Sequence, residues 1–331
     1  ISGIYFKRRI PMYSDALLVK ASELYYYSRM SQAEIGRVLG VSAPTVSRIL
    51  QEAMERGVIE VRIRDTLTRT ADAEEELKKK FGLLDAVVVE VPQDTDGNFL
   101  RKLLGKKSSE LLPRFCDRGG TIGIGCGVTI REMIESLDRS RRFPDLRIVP
   151  LLGGWGKEEP ERETNRLASD MGTILGCAFS YLLAPAIVSS AEVRDLLLQE
   201  PQIQLTTRLW ESVKTAFFSI GPELDRMFFP YIPAEYLDME KARRAGGVGD
   251  VLGRIIDGKG REVPIPYNGR LVSIPFETLK NIPRRVGIGG GPQKYRGIYA
   301  ALAGKLVNVL ITDFETSEYL LHLEAMEHDG I

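Results

Sequence analysis

Histidine, cysteine and tryptophan are scarce in this chain of 331 residues, with two, three and two respectively. The two histidines, His322 and His328, share one late helical stretch, so a histidine-dependent mechanism has little to draw on. Cys116, Cys126 and Cys177 are odd in number and have no metal-type spacing, which argues against a disulfide framework and for a reducing compartment. No apolar run is long enough to span a bilayer. The opening "ISGIYFKRRIPMYSD" has no signal-peptide core. The expectation is a cytoplasmic protein. Net charge is missing as well, since 45 Lys+Arg balance 45 Asp+Glu, and no global field draws in polyanions.

What is present is ordinary in bulk, with 44% hydrophobic and 27% charged residues, and uneven in detail. Residues 1–65 hold ten Lys/Arg against seven Asp/Glu, a local excess of +3. Within them "SQAEIGRVLGVSAPTVSRIL" reads as two short helices joined by a tight turn. Ser31 caps the first of these, with Glu34 completing a capping box. Ile35, Val38 and Leu39 form its apolar side, and Gly40 ends it. Ser42 caps the next helix, where Pro44 fits the first turn. Val46, Ile49, Leu50 and Ala53 anchor that helix, leaving Thr45, Ser47, Arg48 and Gln51 for a groove. Gln32, Ser42, Ala43 and Pro44 complete the candidate DNA-contacting set. An earlier helix starts with Asp15 as its expected cap and uses Leu17, Leu18, Leu24 and Tyr25. "GVIEVRIRD" reads as a basic wing, and "KRR" at 7–9 as an arm along the phosphates or a tail. The bland alternative is a three-helix cap with a solvated charged face.

"TRTADAEEELKKKFGL" (68–83) reads as a charged helix in a linker spanning 66–83, a solvated spacer or a dimerising element. From residue 84 to 331 apolar strands alternate with helices. "DAVVVEV", "GTIGIG", "LRIVPLL", "KTAFFSIG", "RLVSIP", "RRVGIG" and "VNVLIT" are the expected strands. Together they predict an α/β domain with a mostly parallel, Rossmann-like sheet. Ligands of such sheets sit beyond the carboxyl ends of the strands, where four glycine-rich turns stand out. Gly123, Gly125 and Gly127 precede Thr129 in "TIGIGCGVTIREMIESL", next to a helix N-terminus suited to anions. Gly153 and Gly154 end a strand in "LLGGWGKE". Asp250 follows glycines in "RAGGVGDVLGRIID", and Lys294 follows them in "VGIGGGPQKYRGIYAAL". Each has a plain structural reading; together they supply backbone donors, a hydroxyl, an acid and a base for a small polyhydroxylated, anionic ligand. Neither the dinucleotide fingerprint nor the P-loop lysine is present.

The stretches "MSQAEIGRVLGVSAPTVSRIL", "GIGCGVT", "LLGGWG", "LLAPAIVSSAEVRDLL", "GGVGDVLGRIIDGKG", "IPRRVGIGGGPQK" and "VNVLITD" together resemble the sugar-responsive bacterial transcriptional regulators of the SorC type, over nearly the whole chain. The resemblance implies a helix-turn-helix domain (1–65) and an effector and oligomerisation domain (84–331) folded like sugar-phosphate isomerases. It further implies effector contacts at Val128, Thr129, Gly153, Gly154, Asp250 and Lys294, no cofactor, and dimers or tetramers on paired operators. Three positions depart from the pattern. Ala43 stands where relatives often carry a basic residue, Leu152 where phosphosugar-responsive relatives have Lys or Arg, and "FFSIG" (217–221) where "VGIG" is usual. The expected function is an operator-binding regulator gated by a sugar or sugar phosphate. The alternatives are a sugar-phosphate isomerase or deaminase with an appended DNA-binding segment, and a binding protein whose helical N-terminus only dimerises.

Overall fold

The computed structural model describes residues 13–59, 66–92, 95–116, 119–156, 163–224 and 236–328. The chain divides into two compact units, Ile1–Asp65 and Thr66–Ile331.

The first unit is built on α1 (Asp15–Ser22), α2 (Gln32–Leu39) and α3 (Ala43–Glu55), with a π-helical turn over Glu23–Tyr27. Leu18, Ala21, Ile35, Val46, Ile49, Leu50 and Ala53 close its core. Local chemistry sets the helix boundaries. Ser31 and Glu34 form the reciprocal capping box of α2, and Gly40 ends that helix at φ 69°, a conformation nearly free only for glycine. The Ser42 side chain caps α3 by accepting from the Thr45 N–H. The cap of α1 is Ser14, one residue before the expected Asp15, which instead pairs with Arg56. Val38, expected inside, is 58% exposed. The wing expected over 57–65 and the basic arm at 7–9 fall largely or wholly outside the described residues.

The second unit carries a seven-stranded sheet, parallel throughout, made of β1 (Asp85–Val89), β2 (Gly120–Ile124), β3 (Leu146–Pro150), β4 (Ala178–Phe179), β5 (Val213–Ser219), β8 (Arg284–Ile288) and β9 (Val309–Asp313). A separate antiparallel hairpin joins β6 (Gly247–Val251) to β7 (Arg254–Asp257). The sheet order is β1-β9-β8-β5-β2-β3-β4. Side chains alternate between two cores. Val87, Val89, Ile122, Ile124 and Phe217 enter one, and Ala86, Val88, Ala216 and Phe218 the other. Both faces are apolar, as expected for a sheet covered on each side. From β2 the chain steps outward through β3 to β4; from β5 it steps the other way through β8 to β9. The order therefore reverses between β2 and β5, the switch point beyond whose carboxyl ends such sheets bind ligands.

Three expectations need correction. "RLVSIP" is not a strand of the sheet; Leu271 and Ser273 make only isolated bridges, to Ile187 and Leu152. Asp250 does not lie in a strand-to-helix turn but in β6, directly opposite Ile255. The hairpin turns through Leu252 at φ 52° and Gly253 at φ 81°, the left-handed pair that a two-residue turn between twisted strands requires. Finally, the charged helix is no solvated spacer. It is α4 (Thr66–Phe81), with Ala73 at 4% and Leu77 at 0% exposure in the sheet's core. Glu74 accepts the Val88 N–H of edge strand β1 at 2.8 Å, the Arg69 guanidinium lies 3.7 Å from the Phe314 ring centroid, and Lys80 donates to the Leu321 carbonyl at 2.9 Å.

Candidate functional site

On the first unit, Val46, Ile49, Leu50 and Ala53 turn one face of α3 into the core, which directs the opposite face to solvent. Ser42, Pro44, Ser47, Arg48 and Gln51 are exposed there; Gln32, Ala43 and Thr45 are half-buried. Ser42 and Thr45 are also engaged with each other, oxygen to oxygen at 2.8 Å. They fix the start of the helix as well as standing at its rim. Gly36, which sequence reasoning passed over, makes the turn possible, because a methyl group there would meet the Val41 carbonyl oxygen at 2.6 Å.

On the second unit, candidate residues lie around the carboxyl ends of β2 and β5. After β2, Gly125 packs so closely that a methyl group would lie 2.8 Å from Phe218 and from Leu252. Gly127, at φ 113°, precedes α6 (Val128–Glu135) with no side-chain cap. The first N–H groups of α6 have no intrahelical partners and favour an anion. Val128 is half-buried and Thr129 buried in this first turn. After β5, Ser219 donates to the Cys126 carbonyl at 3.0 Å and ties the two strand ends together. Gly221 leaves room for Asp250, whose Oδ1 would lie 1.5 Å from a Cβ at that position. Asp250 accepts the Gly253 N–H at 3.1 Å. Trp155 donates its indole N–H to the Cys126 Sγ at 3.3 Å, and its ring lies 3.2 Å from where a Gly253 Cβ would be.

Lys294 ends the short turn Pro292–Lys294 after β8, near enough to Asp250 for the two charges to act on each other. Asp313, buried at the end of β9, accepts the Gly291 N–H at 2.9 Å and the Thr316 hydroxyl at 2.6 Å, which fixes the loop that presents Lys294. Burial pushes the Asp250 carboxyl up to about 6, against the pull of the Gly253 N–H and the Lys294 charge. Burial brings the Lys294 ammonium down to about 8; Asp250 opposes this, and Arg101 of α5 (Gly97–Leu111) adds to it. Asp250 is buried and Lys294 half-buried, and desolvation shifts each towards its neutral form.

The glycine turns contribute clearance more than donors. The Gly125 N–H is spent on the Phe217 carbonyl, that of Gly153 on Val272 and that of Gly154 on Ala184. Gly153 lets the Ala184–Pro185 backbone approach, and Gly154 makes room for Glu163. Among the described residues, no group of three or more His, Cys, Asp or Glu is placed to hold a metal ion. Trp155, Ser219, Gly221, Arg101 and Asp313 were missed as candidates. Their roles depend on partners distant in sequence, and only the unusual "FFSIG" gave a hint of Ser219 and Gly221.

The shifted carboxyl makes stability depend on pH. In the folded chain Asp250 holds its proton more tightly than at its ordinary 3.8, so folding takes up a proton between about 4 and about 6. Stability due to this group then falls as pH rises through that window, by up to roughly 3 kcal/mol. The melting temperature of the native chain relative to Asp250→Asn should fall correspondingly. A difference that stays flat with pH would show that the carboxyl is not enclosed.

Residues 65–322 match the family described as "Putative sugar-binding domain", and residues 23–56 match sigma-70, region 4. The chain is 30% identical over 312 residues to the sorbitol operon regulator of Klebsiella pneumoniae, covering 92% of this chain and 97% of that protein. It is 27% identical over 311 residues to the deoxyribonucleoside regulator of Bacillus subtilis, covering 92% and 97%. Among solved structures, the full-length sorbitol operon regulator SorC from Klebsiella pneumoniae superposes with a TM-score of 0.71 at 28% identity, over 93% of this chain and 99% of that one. A DeoR family transcriptional regulator from Listeria monocytogenes superposes with a TM-score of 0.70 at 29% identity, over 76% of this chain and 99% of that one.

Proposed function

This chain belongs to the SorC-type family of sugar-binding transcriptional regulators, and on that premise we propose that it binds operator DNA of a carbohydrate-utilisation operon and is gated by a small sugar or sugar phosphate. The observation that carries this reading is the convergence of the α6 N-terminus, Asp250 and Lys294 at the topological switch point of the second unit. A helix N-terminus and an ammonium suit an anionic group, and a carboxylate suits sugar hydroxyls. The effector set is Gly125, Gly127, Val128, Thr129, Gly153, Gly154, Asp250 and Lys294, with the glycines acting by clearance. The DNA-contacting set is Gln32, Ser42, Ala43, Pro44, Thr45, Ser47 and Arg48.

The site is read as binding without turnover, in keeping with relatives named as regulators. Asp250, titrating near pH 6, gives the isomerase alternative its one specific support. Incubation with sugar phosphates separates the two, because an isomerase changes its ligand and a regulator returns it unchanged. The protein acts in the cytoplasm; no helix among the described residues is long and apolar enough to cross a membrane. It works as a homo-oligomer, a dimer or tetramer, a state for which the exposed Leu183 (70%), Leu196 (64%) and Leu205 (67%) offer apolar contact surface.

Arg48→Ala should weaken operator binding by about 1–3 kcal/mol if Arg48 reads a base edge, with no change in melting because the residue is exposed. Anisotropy titrations on operator and random DNA check this. Equal loss on both would assign Arg48 to a phosphate, and no loss on either would remove it from the interface.

A further inference from the structure

Tyr267 is among the largest fully enclosed side chains of the protein, at 1% exposure. Its ring packs among Leu224, Ala242, Ile255, Val263, Ile265 and Leu271. The next residue, Asn268, pins the segment to the hairpin, accepting the Ile255 N–H at 2.9 Å and donating to the Ile255 carbonyl at 2.9 Å and the Val263 carbonyl at 2.8 Å. In this fixed setting the Tyr267 hydroxyl has no hydrogen-bond partner among the described residues. A phenylalanine would fill the same volume without burying an unpaired polar atom, and that burial is unfavourable. Native structures rarely leave such an atom without a use.

Where the hydroxyl sits suggests the use. Asp250, Cys126 and Arg254 are the ionisable groups near enough to act on it. Arg254 is already occupied, by Glu262 at 3.0 Å, the Ser273 carbonyl at 2.9 Å and the Asn268 carbonyl at 3.4 Å. Asp250 and Cys126 belong to the candidate effector site. Trp155, which packs against the same apolar cluster, joins Cys126 to the Gly253 turn. The Tyr267 ring shares its cluster with Ile255, the residue directly opposite Asp250 in the hairpin, so the unpaired phenol packs on the hairpin that carries the carboxyl.

We propose that the Tyr267 hydroxyl is a specificity-determining contact of the effector site, which takes one hydroxyl of a polyhydroxylated ligand that also reaches Asp250. This rests on the sugar-binding reading above. A sugar hydroxyl donates and accepts at once and so satisfies both the phenol and the carboxylate. A ligand without that hydroxyl leaves the phenol unpaired and the carboxylate with the Gly253 N–H alone, the situation that gives polar pockets their large discrimination.

The test is thermal denaturation of the full chain and of Tyr267→Phe, each titrated with sorbitol, glucose, glucose 6-phosphate and ribose 5-phosphate. A compound that raises the melting temperature of the native chain should need at least about ten times the concentration in Tyr267→Phe, the loss of one good hydrogen bond. Without ligand, the variant should melt at the same temperature or higher. Equal dose-response curves would overturn the proposal and leave the hydroxyl to an internal water; the sugar-binding reading would stand. A ligand-free variant that melts several degrees lower would overturn it too, because the hydroxyl would then have a partner within the fold. No response of the native chain to any of the four compounds would sink the sugar-binding reading, and this contact with it.

Discussion

Leu77→Ala lowers the unfolding free energy of the second unit by about 2–5 kcal/mol, the range for emptying a large side chain from a packed core. The expectation follows from where α4 lies. Leu77 is at 0% exposure in the same cluster as Val88, Phe218 and Leu310. Around it the charged residues of α4 also make contacts, Glu74 to β1, and Lys80 to the helix that follows β9. A helix joining two domains through solvent would show almost nothing on the same substitution, within about 0.5 kcal/mol. Urea unfolding of the full chain distinguishes the outcomes, provided the transition of the larger unit is followed by itself, because two units need not unfold together. A change below about 0.5 kcal/mol would restore α4 to the role of a spacer.

Gly221→Ala strikes the proposed effector site without replacing any charged residue. The new methyl would overlap Asp250 Oδ1, at 1.5 Å, so the carboxylate must swing out and abandon the Gly253 N–H. An effector that loses its own charge-assisted contact to the displaced carboxylate, about 1.5–3 kcal/mol, should bind roughly 10- to 150-fold more weakly. Operator binding without effector should stay near the native level, since the first unit is unchanged. Gly258→Ala is the control, because a methyl there meets nothing within 4 Å. An effector dose-response in Gly221→Ala equal to that of the control would remove Asp250 from the site.

Both substitutions concern features that the sequence announced poorly, for physical reasons. The caps of α2 and α3 were legible because Ser31, Glu34, Gly40 and Ser42 act on backbone groups three or four residues away. The central strands were legible because a sheet covered on both faces needs unbroken apolar runs. The β6–β7 hairpin was not, since "GGVGDVLGR" has the composition of a loop, and its turn places Leu252 at φ 52°, where a leucine is unexpected. In α4 the two buried positions, Ala73 and Leu77, are four apart among Asp, Glu and Lys, too thin a stripe to outweigh the charge. Asp250 and Lys294 drew notice through the glycines beside them, although Asp250 lies in a strand and not in a turn. Gly153 and Gly154 were taken for backbone donors, although their N–H groups are bound within the fold. Tyr267 gave no signal, because an unpaired hydroxyl exists only once the chain has packed around it.

In the proposed function, one chain couples operator binding to a ligand at the carboxyl ends of β2 and β5. An effector can do this only if it binds two states of the protein unequally, and such coupling typically changes affinity by about 5- to 150-fold. The most direct measurement is fluorescence anisotropy of a labelled fragment of the gene's own upstream DNA, titrated with the full chain in the absence and presence of each sugar and sugar phosphate. Sequence-specific binding is expected without ligand or with it, and a shift of the binding curve in that range for at least one polyhydroxylated compound. Specific binding that none of these compounds moves in either direction would contradict the proposed function.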